Sequence, residues 1–336
     1  MKYQLLNLIC CPVCKAEFNL SSASEVDGEV ESGILSCGGC GRTYPVIRSV
    51  PRFVPIESDA ASFGFQWNQF SKTQLDSHTG LPLSRERFFL LTGWAPEDLS
   101  GKTVLDVGCG AGRFAEIALS CGAEVTAVDY SIAVDACREN LYPDQRLNVV
   151  QADIYHLPFK PETFDYVYCF GVLQHTPDVK RAFVALSRPL KSGGRLAVDL
   201  YAKHLLTFLW PKYWLRPLTR RMHPEALHSL VVRMVPWLLP ISVCLGRVPV
   251  VGRKLRYLIP VANYEGILPL TPEQSREWAI LDTFDMLSPA HDQPQTCATL
   301  RAWFEESGMT QIEVFRRGLV IGRGVKSAAR TEHDRR

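Results

Sequence analysis

The sequence predicts a doubly wound, Rossmann-like α/β sheet, preceded by a small cysteine-knuckle module and interrupted by a helical insert before its last two strands. Three observations predict it. Val104-Leu105-Asp106-Val107-Gly108-Cys109-Gly110-Ala111-Gly112-Arg113 reads as a buried strand, a glycine turn and the start of a helix through Phe114, Ala115, Ile117, Ala118 and Leu119. Strand and helix patterns then alternate as far as Leu200, which argues for a parallel sheet covered on both faces. Two Cys-x-x-Cys knuckles stand ahead of all this, at Cys11-Pro12-Val13-Cys14 and Cys37-Gly38-Gly39-Cys40.

The chain has 336 residues, enough for a full α/β core and a further module. Its 46% hydrophobic and 21% charged content is that of a soluble globular protein. A net charge of +2 gives no overall field for nucleic acid. The run Leu5-Leu6-Asn7-Leu8-Ile9 is too brief for a signal peptide, so a cytoplasmic protein with reduced thiols is expected despite eleven cysteines.

Residues 1–56 read as a zinc ribbon. The gap from Lys15 to Ser36 suits a β-hairpin, and Cys11, Cys14, Cys37 and Cys40 form a tetrahedral thiolate set. Four thiolates leave no open position, so the metal is expected to be structural. Cys10 fits no knuckle. The runs L-L-N-L-I-C-C-P-V-C and L-S-C-G-G-C-G-R-T-Y-P-V-I-R-S-V-P-R-F-V resemble the small zinc-ribbon proteins that partner methyltransferases. The ribbon is read either as a surface for partner or substrate or as a stabilising module.

Residues 57–100 form an aromatic linker, dense at Phe63-Gly64-Phe65-Gln66-Trp67-Asn68-Gln69-Phe70, with a helix from Ser84 through Leu91 and Ser84 as its N-cap. Phe65, Trp67 and Phe70 either close a ligand site or anchor the linker. The core is expected over 101–202 and 297–326. Its later elements are a strand through Phe164–Phe170, a helix from Asp178 to Leu190, a strand from Gly193 to Leu200, a helix from Leu300 that stops at Gly308, and strands over 311–315 and 318–322.

The glycine spacing narrows the ligand. A dinucleotide fingerprint wants a glycine where Arg113 stands. Asp106, two residues before the first glycine, would repel a pyrophosphate and suit a cationic ligand such as a sulfonium. Asp129, ending the strand from Ala123, can hold ribose hydroxyls, and Asp153, ending the next, can reach an adenine amino group. With the motifs V-L-D-V-G-C-G-A-G-R, V-T-A-V-D-Y-S, V-Q-A-D-I-Y-H-L-P-F, F-D-Y-V-Y-C-F-G-V-L-Q-H and L-K-S-G-G-R-L-A-V-D in this order, the sequence resembles the class I S-adenosylmethionine-dependent methyltransferases. The resemblance implies a cofactor site at Asp106, Gly108, Cys109, Gly110, Gly112, Asp129, Tyr130, Asp153, Ile154, Phe170 and Gly171. It also implies that the segment ahead of the first strand covers the cofactor.

Methyl transfer needs donor and acceptor held in line and water excluded, and a base only where the acceptor is protonated. His175, after the fourth strand, is the candidate base; the other reading is a histidine bonding loop backbone. Asp199 and Tyr201 lie on the same edge.

Residues 203–296 form the insert. Between Lys203 and Tyr257 the bases Lys203, Lys212, Arg216, Arg220, Arg221, Arg233, Arg247, Arg253, Lys254 and Arg256 face one acid, Glu225. Phe208, Leu209, Trp210, Tyr213, Trp214, Trp237 and aliphatic residues are interleaved. Two readings stand together: an apolar lid with arginines outward, and peripheral contact with the inner membrane face through 203–257. Arg233, Pro236 and Pro240 argue against a spanning helix. Asp282, Asp285 and His291 are candidate substrate residues, for sugar hydroxyls by resemblance to methyltransferases of envelope-glycan and secondary-metabolite clusters. The tail, 327–336, is expected to be disordered. The expected acceptor is thus a small molecule, sugar or lipid-linked intermediate. An RNA methyltransferase is the alternative, although nucleic acid is not expected from the charge pattern, and a cofactor-binding scaffold is the non-enzymatic one.

Overall fold

A computed structural model describes residues 1–55, 61–203 and 210–328. The ribbon is an antiparallel sheet of β1 (Phe18–Val26), β2 (Glu29–Cys37), β3 (Thr43–Ile47) and β4 (Val50–Pro51). The linker carries α1 (Ala61–Gln69), α2 (Asp76–Thr79) and α3 (Leu83–Thr92). The core follows as β5 (Thr103–Val107), α4 (Arg113–Ser120), β6 (Glu124–Asp129), α5 (Ala133–Leu141), β7 (Leu147–Gln151), β8 (Phe164–Cys169), α6 (Val179–Ala185) and β9 (Leu190–Leu200). The insert holds α7 (Pro211–Thr219), α8 (Pro224–Gly246), α9 (Gly252–Leu255) and α10 (Pro272–Leu287). Then α11 (Cys297–Glu306), β10 (Met309–Arg317) and β11 (Leu319–Lys326) close the chain.

The large sheet runs β10-β11-β9-β8-β5-β6-β7. Strands β5 to β9 are parallel, and β11 enters antiparallel between β9 and β10. Strand order reverses at β5, so a crevice opens beyond the ends of β5 and β8, where α/β sheets bind ligands. The expected doubly wound sheet is therefore present, with the antiparallel pair at its edge.

The ribbon is not a detached module. Met1, Leu5, Ile9, Val30, Leu35 and Val46 share one buried cluster with Val107, Val128 and Val150 of the large sheet. Arg52 bridges Gln151 in parallel, continuing the sheet past β7, and the Arg52 guanidinium pairs with Asp135 at 2.6 Å. On the other side the Cys10 amide donates to the Pro158 carbonyl and the Lys160 amide to that of Leu8.

Several boundaries differ from expectation for identifiable reasons. Asp178 does cap α6, accepting from the Arg181 amide, but the helix ends at Ala185 because Pro189 disfavours helical backbone at Arg188. The strand then starts at Leu190, with an irregular step between the Phe164–Leu190 and Tyr166–Arg195 pairs. Ser84 is not the cap of α3. It lies in the first turn, and the Asp76 carboxylate accepts from the Ser84 and Arg85 amides instead. Helix α8 runs unbroken through Pro236 and Pro240, and it is long and apolar enough to cross a membrane by length and composition. Phe208, Leu209, the Arg253 side chain and, of the tail, residues 329–336 lie outside the described residues.

Candidate active site and metal centre

The two knuckles come together. The four sulfurs of Cys11, Cys14, Cys37 and Cys40 all lie within 4.8 Å of one another. Cys11 and Cys40 stand 3.8 Å apart, close to the spacing of about 3.8 Å that thiolates at about 2.3 Å from a tetrahedral zinc require. The amides of Gly39 and Cys40 point at the Cys37 sulfur at 3.4 Å. Hydrogen bonding, chiefly from Cys40, holds that thiol down to about 6. The donor set fits a structural zinc; Cys10 is buried apart from it, against the large domain.

The glycine turn closes over β6. The Gly108 amide donates to the Val128 carbonyl at 2.7 Å and the Gly110 amide to Asp129 Oδ2 at 3.0 Å. Gly108 has φ of 81°, and a Cβ there would lie 2.1 Å from Val172 Cγ2. Asp129 Oδ1 accepts from both the amide and the hydroxyl of Ser131. Trp67 of α1 lies across the turn, since a Cβ on Gly110 would stand 3.1 Å from its ring. Gly64 lets α1 approach this closely; its own Cβ would meet Ile132 at 2.7 Å. Trp67 and Phe63 of the linker line the cavity beside the turn, while Phe65 and Phe70 pack on His228 of the insert.

Beyond the turn lies a cavity of about 1380 Å³, larger than the roughly 300–1,000 Å³ of ordinary small-molecule sites. Gly108, Cys109, Gly110, Asp129, Tyr130, Asp153, Ile154, Phe170 and Gly171 line it, as do His175, Asp282, Asp285 and His291. The structure therefore brings both groups of expected site residues to one space. Asp106 and Gly112 do not line it. Asp106 lies behind the turn facing Tyr168, and burial pushes its carboxyl up to about 8. Gly112 is needed for packing, since a Cβ there would stand 2.8 Å from Leu141.

Toward the insert, His175 Nδ1 lies 2.9 Å from the His291 carbonyl. A carbonyl only accepts, so Nδ1 carries the proton and Nε2 keeps its lone pair. Burial lowers the His175 pKa below 6.5, with Asp285 opposing. Tyr264 donates to Asp282, whose carboxyl burial raises to about 6. Tyr201 reaches Asp285 at 3.5 Å. Lys212 and Arg216 turn inward onto Asp292; burial would raise that carboxyl, but the two cations outweigh it and hold it below the usual range.

Three lining residues carried no signal in the sequence. Arg113, in the position a dinucleotide site reserves for glycine, bonds Ser84 Oγ and Gln74 Oε1 beside the cavity. Arg87 pairs with Asp199, itself bonded to the Gly171 amide. Gln66 is fully buried, lines the cavity and has neither amide atom partnered. Buried amides are ordinarily hydrogen-bonded, so Gln66 offers a contact to a water or ligand in the cavity.

Strand order, glycine turn and acid-tipped β6 together define the class I methyltransferase fold. Residues 105–198 match the family described as methyltransferase domain, and residues 2–49 match the family described as Trm112p-like protein. The chain thus joins a methyltransferase domain to a Trm112p-like zinc ribbon. A ubiquinone biosynthesis O-methyltransferase of Coxiella burnetii is 34% identical over 114 residues, covering 33% of this chain and 49% of that protein. A demethylmenaquinone methyltransferase of Thermobifida fusca is 38% identical over 122 residues, covering 35% and 52%. The chain spans about half the length of each. Among solved structures, magnesium protoporphyrin IX methyltransferase of Synechocystis PCC 6803 aligns with a TM-score of 0.44 at 17% identity, over 80% of this chain and 96% of that one.

Proposed function

We propose that this protein transfers a methyl group from S-adenosylmethionine to a small-molecule, sugar or lipid-linked acceptor held under the insert. The observation that carries the reading is the single cavity shared by the glycine turn, Asp129 and the insert's Asp282, Asp285 and His291. Gly110, Asp129 and Asp153 would hold the cofactor's nucleoside, and Gln66 gives an amide for its polar groups. The bound cofactor supplies an activated methyl on a good leaving group. The protein's part is to position the acceptor, exclude water with α1 and the insert, and take up a proton. Relatives named for quinone biosynthesis support an acceptor of small-molecule size.

To test this, the protein is incubated with methyl-labelled S-adenosylmethionine and extract from a host lacking it, and the extract is then fractionated. Label in the lipid or small polar fraction is the expected result. Nuclease-sensitive label would replace the reading with RNA methylation, and saturable cofactor binding without any transfer would favour a scaffold.

His175 is proposed as the base for a hydroxyl acceptor. Its neutral form is the active one and its pKa is lowered, so kcat/KM should stay level through neutral pH. Below a pKa under 6.5 it should fall about tenfold per pH unit. His175→Gln should remove this limb and lower the rate about 10²–10⁴-fold. A variant that keeps parental rate and profile would leave His175 as an anchor for the His291 carbonyl alone.

A further inference from the structure

We infer that the outer face of the insert docks on an anionic lipid bilayer, so that the cavity opens at the membrane surface. This rests on the proposed methyl transfer only for its purpose; the docking itself rests on how α7 and α8 are turned.

Helix α7 is inside out. It buries Lys212, Arg216 and Thr219 and exposes Trp214 and Leu218, one turn apart, at 66% and 69%. A helix in water places such residues the other way round. The buried cations are paired with Asp292, and Arg216 also donates to the Met286 carbonyl, so both have specific partners inside the fold. Helix α8 has two apolar faces. Leu227, Val231 and Val235 pack with Ala279, Phe284 and Leu287 of α10. Leu230, Trp237, Ile241 and Cys244, spaced seven, four and three residues apart, form a separate exposed stripe. Beyond its end, Val248, Val250 and Val251 are exposed, Val250 at 99%.

Charge selects the occupant. Arg221, Arg233 and Lys254 are exposed around this face, and Glu225 is the one acid between Lys203 and Tyr257. A basic, tryptophan-bearing apolar face suits the interface of an anionic bilayer. Although α8 is long and apolar enough to span, its packing along α10 leaves only one side free, so it lies on the membrane and does not cross it. Met222, Tyr257 and Ile267 are both exposed and part of the cavity lining. The rim of the cavity therefore belongs to the docking face, and an amphiphilic acceptor can present its head group there with its chains left in the bilayer.

The test uses the full chain with phosphatidylcholine vesicles, with and without phosphatidylglycerol, in a sedimentation assay. The parent should sediment with the anionic vesicles at low salt and be released by salt. Leu218→Ser combined with Trp237→Ser, both exposed, should lower vesicle affinity at least tenfold, as should Arg221→Glu with Arg233→Glu. Affinity for S-adenosylmethionine should stay at the parental value in both, which separates this outcome from failure of the catalytic reading. No binding of the parent to anionic vesicles, or parental binding by the serine pair, would overturn the inference. So would a dimer of the chain that the serine pair abolishes without vesicle binding, since it would give the face to a second copy.

Discussion

Cys11→Ser should strip the protein of its zinc and lower its thermal midpoint by roughly 10 °C or more. The size follows from the shared core. Structural zinc in small ribbons contributes about 10–16 kcal/mol to folding, and without it the hairpin of β1 and β2 has little to hold its knuckles together. Here Leu5, Ile9, Val30, Leu35 and Val46 pack against the same cluster as Val107 and Val150, so a loosened ribbon uncovers one face of the large sheet. Metal content by mass spectrometry and a melting curve with and without chelator check this together. Cys10→Ser is the control: buried but outside the thiolate set, it should keep one zinc per chain. Unchanged melting after complete chelation would mean that the ribbon is held by packing alone.

Asp129→Ala should weaken S-adenosylmethionine binding about 30- to 1,000-fold, a loss of about 2–4 kcal/mol measurable by calorimetry. Asp129 does two things at once. It fixes the turn by accepting from the amides of Gly110 and Ser131, and it lines the cavity where ribose hydroxyls would reach it. Asp129→Asn keeps the size but turns one oxygen into a donor facing an amide donor, so it should fall between parent and alanine. Parental affinity in the alanine variant would remove Asp129 from the site.

Much of this was legible because it is local in sequence. The turn from Gly108 to Gly112, Asp129 ending β6, Asp153 just past β7, and the two knuckles each declare themselves within ten residues. What was misjudged depends on which way a residue faces. Asp106 and Val107 are neighbours, yet only Val107 reaches the cavity, because successive strand residues point to opposite sides. The rest of the cavity was legible only in part, since Tyr264, Arg87, Arg113 and Gln66 come from separate segments that meet only in the folded chain. Reading the insert's arginines as outward failed at Arg216 for the same reason: Asp292, some eighty residues later, turns Arg216 and its neighbour Lys212 inward. The prolines read as interrupting the apolar run stand inside one continuous helix, α8. Both lie on its exposed side.

The central claim is that this α/β cavity takes S-adenosylmethionine and not a dinucleotide. Equilibrium dialysis of the purified protein against labelled S-adenosylmethionine tests it most directly, with S-adenosylhomocysteine and NAD as competitors. The account predicts one mole bound per mole of chain, displaced by S-adenosylhomocysteine and untouched by NAD. Absence of saturable binding, or displacement by NAD, would contradict it.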